Sequence, residues 1–89
     1  MSGETALARL KRLKMRSWRR GTKEMDLILG PFADMQLAGM DANELAQYEA
    51  LLDENDQDLY QWISGQQATP EPHKAMVAQI MTSITAKID

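Results

Sequence analysis

Apolar residues recur along this chain at the three- and four-residue steps of a helix, and no stretch keeps the two-residue alternation of a half-buried strand. Leu7, Leu10 and Leu13 step through the first segment, with Met15 and Trp18 extending the apolar side, which predicts a helix over residues 5 to about 18. A second helix is predicted from about Thr22 to Gln36, where Met25, Ile28, Leu29, Phe32 and Met35 fall in one arc of the helical wheel. Leu27 points nearly opposite, beside Lys23, Gly30 and Asp34. Gly30-Pro31 lies mid-pattern, and Pro31 is expected to kink or break the helix, because it removes a hydrogen bond and clashes with the preceding turn.

The third helix carries the clearest start signal. Asp41 is placed as its cap, Glu44 completes a capping box, and Met40 with Leu45 forms the flanking staple. Leu45, Tyr48, Leu51 and Leu52 are its predicted buried side. The acidic run Asp53, Glu54, Asp56, Asp58 lacks the glycine and final glutamate of an EF-hand, so Asn55 or Asp56 is read as the cap of a short fourth helix bearing Leu59, Trp62 and Ile63, ended by Gly65. After the polar loop 65–70, a last helix is expected to about Ile88, with Val77, Ile80, Met81, Ile84 and Ile88 on one arc and His73 half-buried at its start. The predicted fold class is all-α: a single-domain bundle of about five helices over residues 1–89, with residues 1–4 disordered.

Composition narrows the function classes. With 89 residues the chain has room for one thin core and no deep cleft, burying about 60–65% of the surface its unfolded form exposes. It has no Cys, which excludes disulfides, thiolate metal sites and a Cys nucleophile. No paired His and no phosphate-binding glycine loop are present, and carboxylates on a thin helical core are poorly placed for acid–base work, so an enzyme is not expected. Nor is there an apolar run of the length that crosses a bilayer. The start lacks the order of a secretory signal, and residues 6–20, although basic and helical, lead straight into the central motif instead of toward a cleavable leader. A bacterial cytoplasmic location is expected on this basis, with the mitochondrial matrix as second choice.

The net charge of −3 hides a division. Eight of the ten cations lie between Arg9 and Lys23 with no acid among them, and twelve of the thirteen acids follow from Glu24 onward. Such asymmetry orients a docking partner, although a solvated face neutralising an acidic body explains it equally. Chemistry concentrates where the basic run meets the second helix, over Arg16-Ser17-Trp18-Arg19-Arg20-Gly21-Thr22-Lys23-Glu24-Met25-Asp26. Gly21 supplies a backbone turn that side chains resist and can cap the next helix, which puts Glu24 at the third helical position, as a cap or as a contact. Arg20 has no such structural reason: a guanidinium on a tight turn can pair bidentately with a carboxylate or phosphate-like group. Leu27, exposed within a turn of it, is a candidate apolar contact, and Arg16 a flanking cation.

A nucleic-acid-binding module using segment 9–23 is the alternative, since eight cations around Trp18 suit phosphate contacts and stacking. The acidic remainder repels a polyanion, however, and the second helix is acidic or apolar where base contacts belong. An acidic patch on a protein is the better fit.

Arg20-Gly21-x-x-Glu24 resembles the Arg-Gly-x-x-Glu motif of the small succinate dehydrogenase assembly factors, or flavinylation factors. The likeness continues through Leu27-Ile28-Leu29-Gly30-Pro31-Phe32, Glu49-x-Leu51-Leu52-Asp53 and Asp56-x-Asp58-Leu59-x-x-Trp62, covering residues 16 to about 65. The resemblance implies a five-helix bundle, monomeric when free, that acts as a chaperone. It would bind the flavoprotein subunit of succinate dehydrogenase or fumarate reductase and promote covalent attachment of FAD to a client histidine. The factor itself would hold no cofactor stably, the bond-forming chemistry residing in the client. Arg20, Gly21 and Glu24 would form the interface core, with Asp26 a flanking contact.

Overall fold

In a computed structural model the chain is described from Gly3 to Ile88, with side chains described as far as Thr85. It is all-α: five α-helices and two 3-10 turns, with no strand among the described residues. The helices are α1 (Ala6–Trp18), α2 (Lys23–Gln36), α3 (Ala42–Leu52), α4 (Asp56–Ile63) and α5 (Lys74–Ile88). Backbone contacts divide the chain into two compact units, Met1–Gly39 and Met40–Asp89.

In the first unit α1 packs on α2. Thr5 caps α1, its hydroxyl oxygen accepting from the Ala8 N–H at 3.0 Å. The disorder expected at residues 1–4 falls partly on Met1 and Ser2, which lie outside the described residues; Glu4 accepts two hydrogen bonds from the Arg12 guanidinium, at 2.7 and 3.0 Å. The apolar side of α1 splits in two. Leu13 and Ser17 are fully buried, the Ser17 hydroxyl donating back to the Leu13 carbonyl at 2.8 Å, while Leu7 is 63% and Met15 53% exposed. Trp18 is also exposed and Leu10 half-buried, so of the five residues assigned to this apolar side only Leu13 belongs to the core.

On α2, Met25, Leu29 and Phe32 are buried as the arc predicts, but Met35 is 65% exposed and Ala33 and Leu37 take its place. The seam is rotated toward the small residues Gly30 and Ala33, over which a neighbouring side chain can approach the helix closely. At Gly30 that neighbour is Trp18: a Cβ there would lie 2.5 Å from indole Cε2 and Cε3. The indole N–H reaches one turn further to donate to Asp34 Oδ2 at 3.1 Å. Gly30 is therefore required by close approach. The same packing accounts for α2 running through Pro31 without the expected break, since fully buried side chains on both sides of the step offset a proline penalty of about 3 kcal/mol.

In the second unit the capping box of α3 forms as read: Glu44 N–H donates to Asp41 Oδ1 at 2.8 Å and Asp41 N–H to Glu44 Oε1 at 3.2 Å. Asn55, rather than Asp56, caps α4, accepting from the Asp58 N–H at 2.8 Å, and Gly65 follows it at φ 82°. Tyr48, Leu51, Leu52, Leu59 and Ile63 are buried; Leu45 and Trp62 are half-buried. The last helix begins later than read, a 3-10 turn over Glu71–His73 leading into α5. On α5 Met76, Val77 and Ile80 are buried, Met81 is exposed and Ile84 half-buried; the side chain of Ile88 lies outside the described residues. His73 is buried more deeply than expected. Its Nε2–H donates to Glu54 Oε2 at 2.9 Å, its ring stacks on Trp62 at 5.6 Å, and its Nδ1 is buried without a hydrogen-bond partner. This is a structural role, tying the turn before α5 to the end of α3.

The Trp18–Gly30 contact predicts a change of sign in a double-mutant cycle. Alone, Gly30→Ala displaces the indole and is expected to destabilise by about 1–2 kcal/mol, overpacking outweighing the gain in helix propensity of about 1 kcal/mol. In a Trp18→Ala background the same substitution is expected to stabilise by roughly 0.5–1 kcal/mol. Equilibrium denaturation of the four proteins measures both, and equal effects in the two backgrounds would refute the contact.

Candidate partner-binding site

The sequence-predicted residues meet where α1 gives way to α2. Helix α1 ends at Trp18, with Arg19 leaving helical geometry at φ −129°, ψ 55°. Gly21 follows at φ 105°, in the left-handed region that a side chain resists. Thr22 returns to extended backbone and its hydroxyl oxygen accepts from the Met25 N–H at 3.3 Å, which makes Thr22 the cap of α2. This corrects the placement of Gly21 as the cap. Thr and Gly rank about equally at that position, but Thr brings a side-chain acceptor for a free N–H, which was the signal available in the sequence. Glu24 moves accordingly to the second helical position, exposed, where its charge still favours the positive end of the helix dipole.

The reach-back expected of Glu24 belongs to Asp26. Its Oδ1 accepts the backbone N–H of Arg20 at 2.6 Å, spanning the whole turn, while its own N–H donates to the Thr22 carbonyl at 3.1 Å. A short hydrogen bond to an ionised acceptor is among the stronger contacts available to a surface turn. Asp26 thus fixes the backbone from which the Arg20 side chain departs, and Gly21 permits the reversal between them. Leu27 is 58% exposed one residue beyond. Arg16 lies in the last turn of α1, half-exposed, and Arg20 is half-exposed on the turn itself.

At this surface the structure brings Arg20, Gly21 and Asp26 together through the hydrogen bond that spans the turn, with Glu24 and Leu27 exposed on the α2 turns that follow and Arg16 on the last turn of α1. Trp18, treated as core in the sequence, borders this surface instead, anchored by Asp34 on the far side. What the surface can do chemically is present a cationic fork, a backbone open to close approach and an exposed carboxylate within a few residues. Among the described residues no three His, Cys, Asp or Glu are grouped to hold a metal, and no helix is long and apolar enough to cross a membrane.

Comparison with known proteins places this geometry in a family. Residues 11–86 match the family described as flavinator of succinate dehydrogenase. The chain is 43% identical over 74 residues to succinate dehydrogenase assembly factor 2, mitochondrial, of Schizosaccharomyces pombe, a match covering 83% of this chain and 53% of that protein. It is 34% identical over 90 residues to the protein of that name from Danio rerio, covering 99% of this chain and 57% of the relative. With the Aspergillus terreus protein the identity is 44% over 70 residues, 79% of this chain but 23% of the relative. The chain thus spans from about a quarter to just over half the length of these relatives. Their names point to the mitochondrion and overturn the expectation of a bacterial cytoplasmic location. That expectation rested on the missing order of a secretory signal and on a discounted basic leader, and neither separates the bacterial cytoplasm from the mitochondrial matrix. With residues 11–86 matched by the family and relatives such as the Schizosaccharomyces pombe protein more than 40% identical over most of its length, the chain belongs to the flavinator of succinate dehydrogenase family of assembly factors.

Proposed function

We propose that this protein binds the flavoprotein subunit of succinate dehydrogenase or fumarate reductase and promotes covalent attachment of FAD to a client histidine, without holding FAD stably itself. The observation that carries the reading is the Asp26-held turn: Arg20 departs from a backbone fixed at 2.6 Å, beside a glycine at φ 105°. A guanidinium on a rigid turn loses little conformational freedom on pairing with a client carboxylate, and a glycine beside it lets the client backbone come near. Glu24 and Leu27 would add one polar and one apolar contact, and Arg16 a flanking charge. The factor contributes binding and orientation in this reading, and the client supplies the groups that form the flavin bond. The carboxylates at 24 and 26, next to the cations, also argue against a nucleic-acid backbone as the ligand.

Co-expression of the flavoprotein subunit with and without this chain, scored by in-gel flavin fluorescence after denaturation, tests the function directly. Arg20→Ala is expected to abolish the gain in covalent flavin while the fold stays helical by circular dichroism, at a stability cost of about 1 kcal/mol for a half-buried side chain. Full flavinylation by that variant would show the turn is not the client site. Gly21 is a less clean target, because any side chain at its φ adds strain of about 1–3 kcal/mol.

A second pair of variants separates holding the turn from touching the client. Asp26→Ala removes the acceptor of the Arg20 N–H and is expected to destabilise by about 1–2 kcal/mol while also weakening client binding. Glu24→Gln is expected to weaken client binding at a smaller stability cost, about 0.3–1 kcal/mol, from the lost interaction with the helix dipole. Thermal denaturation alongside isothermal titration with the client distinguishes them, and the opposite pattern would exchange their roles.

A further inference from the structure

Helix α1 has a second apolar face that the core does not use. Opposite the buried Leu13 and Ser17, the side chains of Ala8, Lys11, Arg12, Met15, Arg16 and Arg19 line a shallow open groove. Their spacing is that of one helical face, with small Ala8 and exposed Met15 as its apolar floor and four cations as its rim. From these observations we infer that the outer face of α1 is a second docking surface, for an acidic amphipathic segment of the flavoprotein client that seats one apolar side chain between Ala8 and Met15. The inference rests on the client reading above and adds to it a contact separate from the Arg20 turn.

Three observations select this occupant. The rim is wholly cationic, and no acid interrupts the sequence from Arg9 to Lys23, so carboxylates are the complementary groups. One of them is already in place: Glu4 of this chain accepts side-on from Arg12 Nε and a terminal nitrogen at 2.7 and 3.0 Å, the fork geometry a partner carboxylate would use. The hydrogen bond from Arg12 holds the Glu4 carboxyl below the usual carboxylate range, with the charges of Arg12 and Arg9 acting in the same direction. Lastly, Ala8 is the smallest side chain lining the groove, which leaves room beside Met15 for a single protruding side chain. Trp18, the residue a membrane helix would turn to the interface, has its ring against Gly30 and its N–H on Asp34.

Glu4 is then an internal competitor for Arg12, and its removal has a distinctive effect. Titration of the purified flavoprotein subunit with the full chain is expected to give a Kd raised roughly tenfold by Met15→Glu and lowered about two- to fivefold by Glu4→Gln. Circular dichroism should show both variants folded, since both positions are exposed. If Arg20→Ala abolishes binding while Met15→Glu and Glu4→Gln leave Kd unchanged, the groove is not a client surface and the turn alone is. Absence of binding by the unsubstituted chain overturns both the client reading and this inference. Co-sedimentation with vesicles of equal parts phosphatidylcholine and phosphatidylglycerol, lost in Met15→Glu with client affinity unchanged, would overturn the inference in favour of a lipid surface.

Discussion

The carboxylate of Asp26 accepting the Arg20 N–H is the contact on which the functional geometry depends. A four-residue connection between two helices would ordinarily leave its backbone donors to water, and its conformations would be many. One charge-assisted hydrogen bond from the first turn of α2 removes that freedom by tying the approach to Gly21 to the helix that follows it. It acts together with the Thr22 cap, so the N-terminus of α2 and the turn before it form a single hydrogen-bonded unit. Arg20 can then be a directed group, because the atoms from which it springs do not move independently of α2.

The acids of this region divide their duties. Asp26 is half-buried and engaged with the backbone, whereas Glu24 is exposed at the helix start. Two carboxylates two residues apart on a helix point to different sides, which is why one can serve the fold and the other remain available to a partner. The same separation occurs on α1, where one face supplies Leu13 to the core and the opposite face carries Met15 among cations. A chain this short has few residues to spare for a single purpose, and function is placed on the sides of helices that packing leaves over.

Much of this was legible in the sequence because it follows from local rules. The cap and capping box of α3, the glycine after α4 and the helical period of every apolar segment depend on neighbours within four residues, and each appears in the structure. The turn between α1 and α2 was legible as a location, from a glycine between two helical patterns. What could not be read was which of several apolar residues on a broad arc face the core. Met35 and Met81 lie at the edges of their arcs and are exposed, while Ala33, Leu37 and Met76 are buried, because the rotation of a helix about its axis is set by what packs on it. Leu7, Met15 and Trp18 were credited to the core for the same reason. The reach of Asp26 across six positions was invisible to capping rules framed on the helix alone, and compartment was not encoded in the features used to infer it.

The pairing of Gly30 with Pro31 inside α2 bears on how the site comes into being. These are the two poorest helix formers, disfavoured by about 1 and 3 kcal/mol relative to alanine, and they stand side by side in a fourteen-residue helix. A segment of that length is marginal as an isolated helix even with favourable residues. Helix α2 therefore owes its existence to burial, and to Trp18 lying over Gly30. Because Thr22 and Asp26 hold the Arg20 turn only while α2 is helical, that turn and the α1–α2 docking share one cooperative opening. Hydrogen exchange would find the amide of Arg20 protected to the same degree as those of α2, although it lies in a connection between helices.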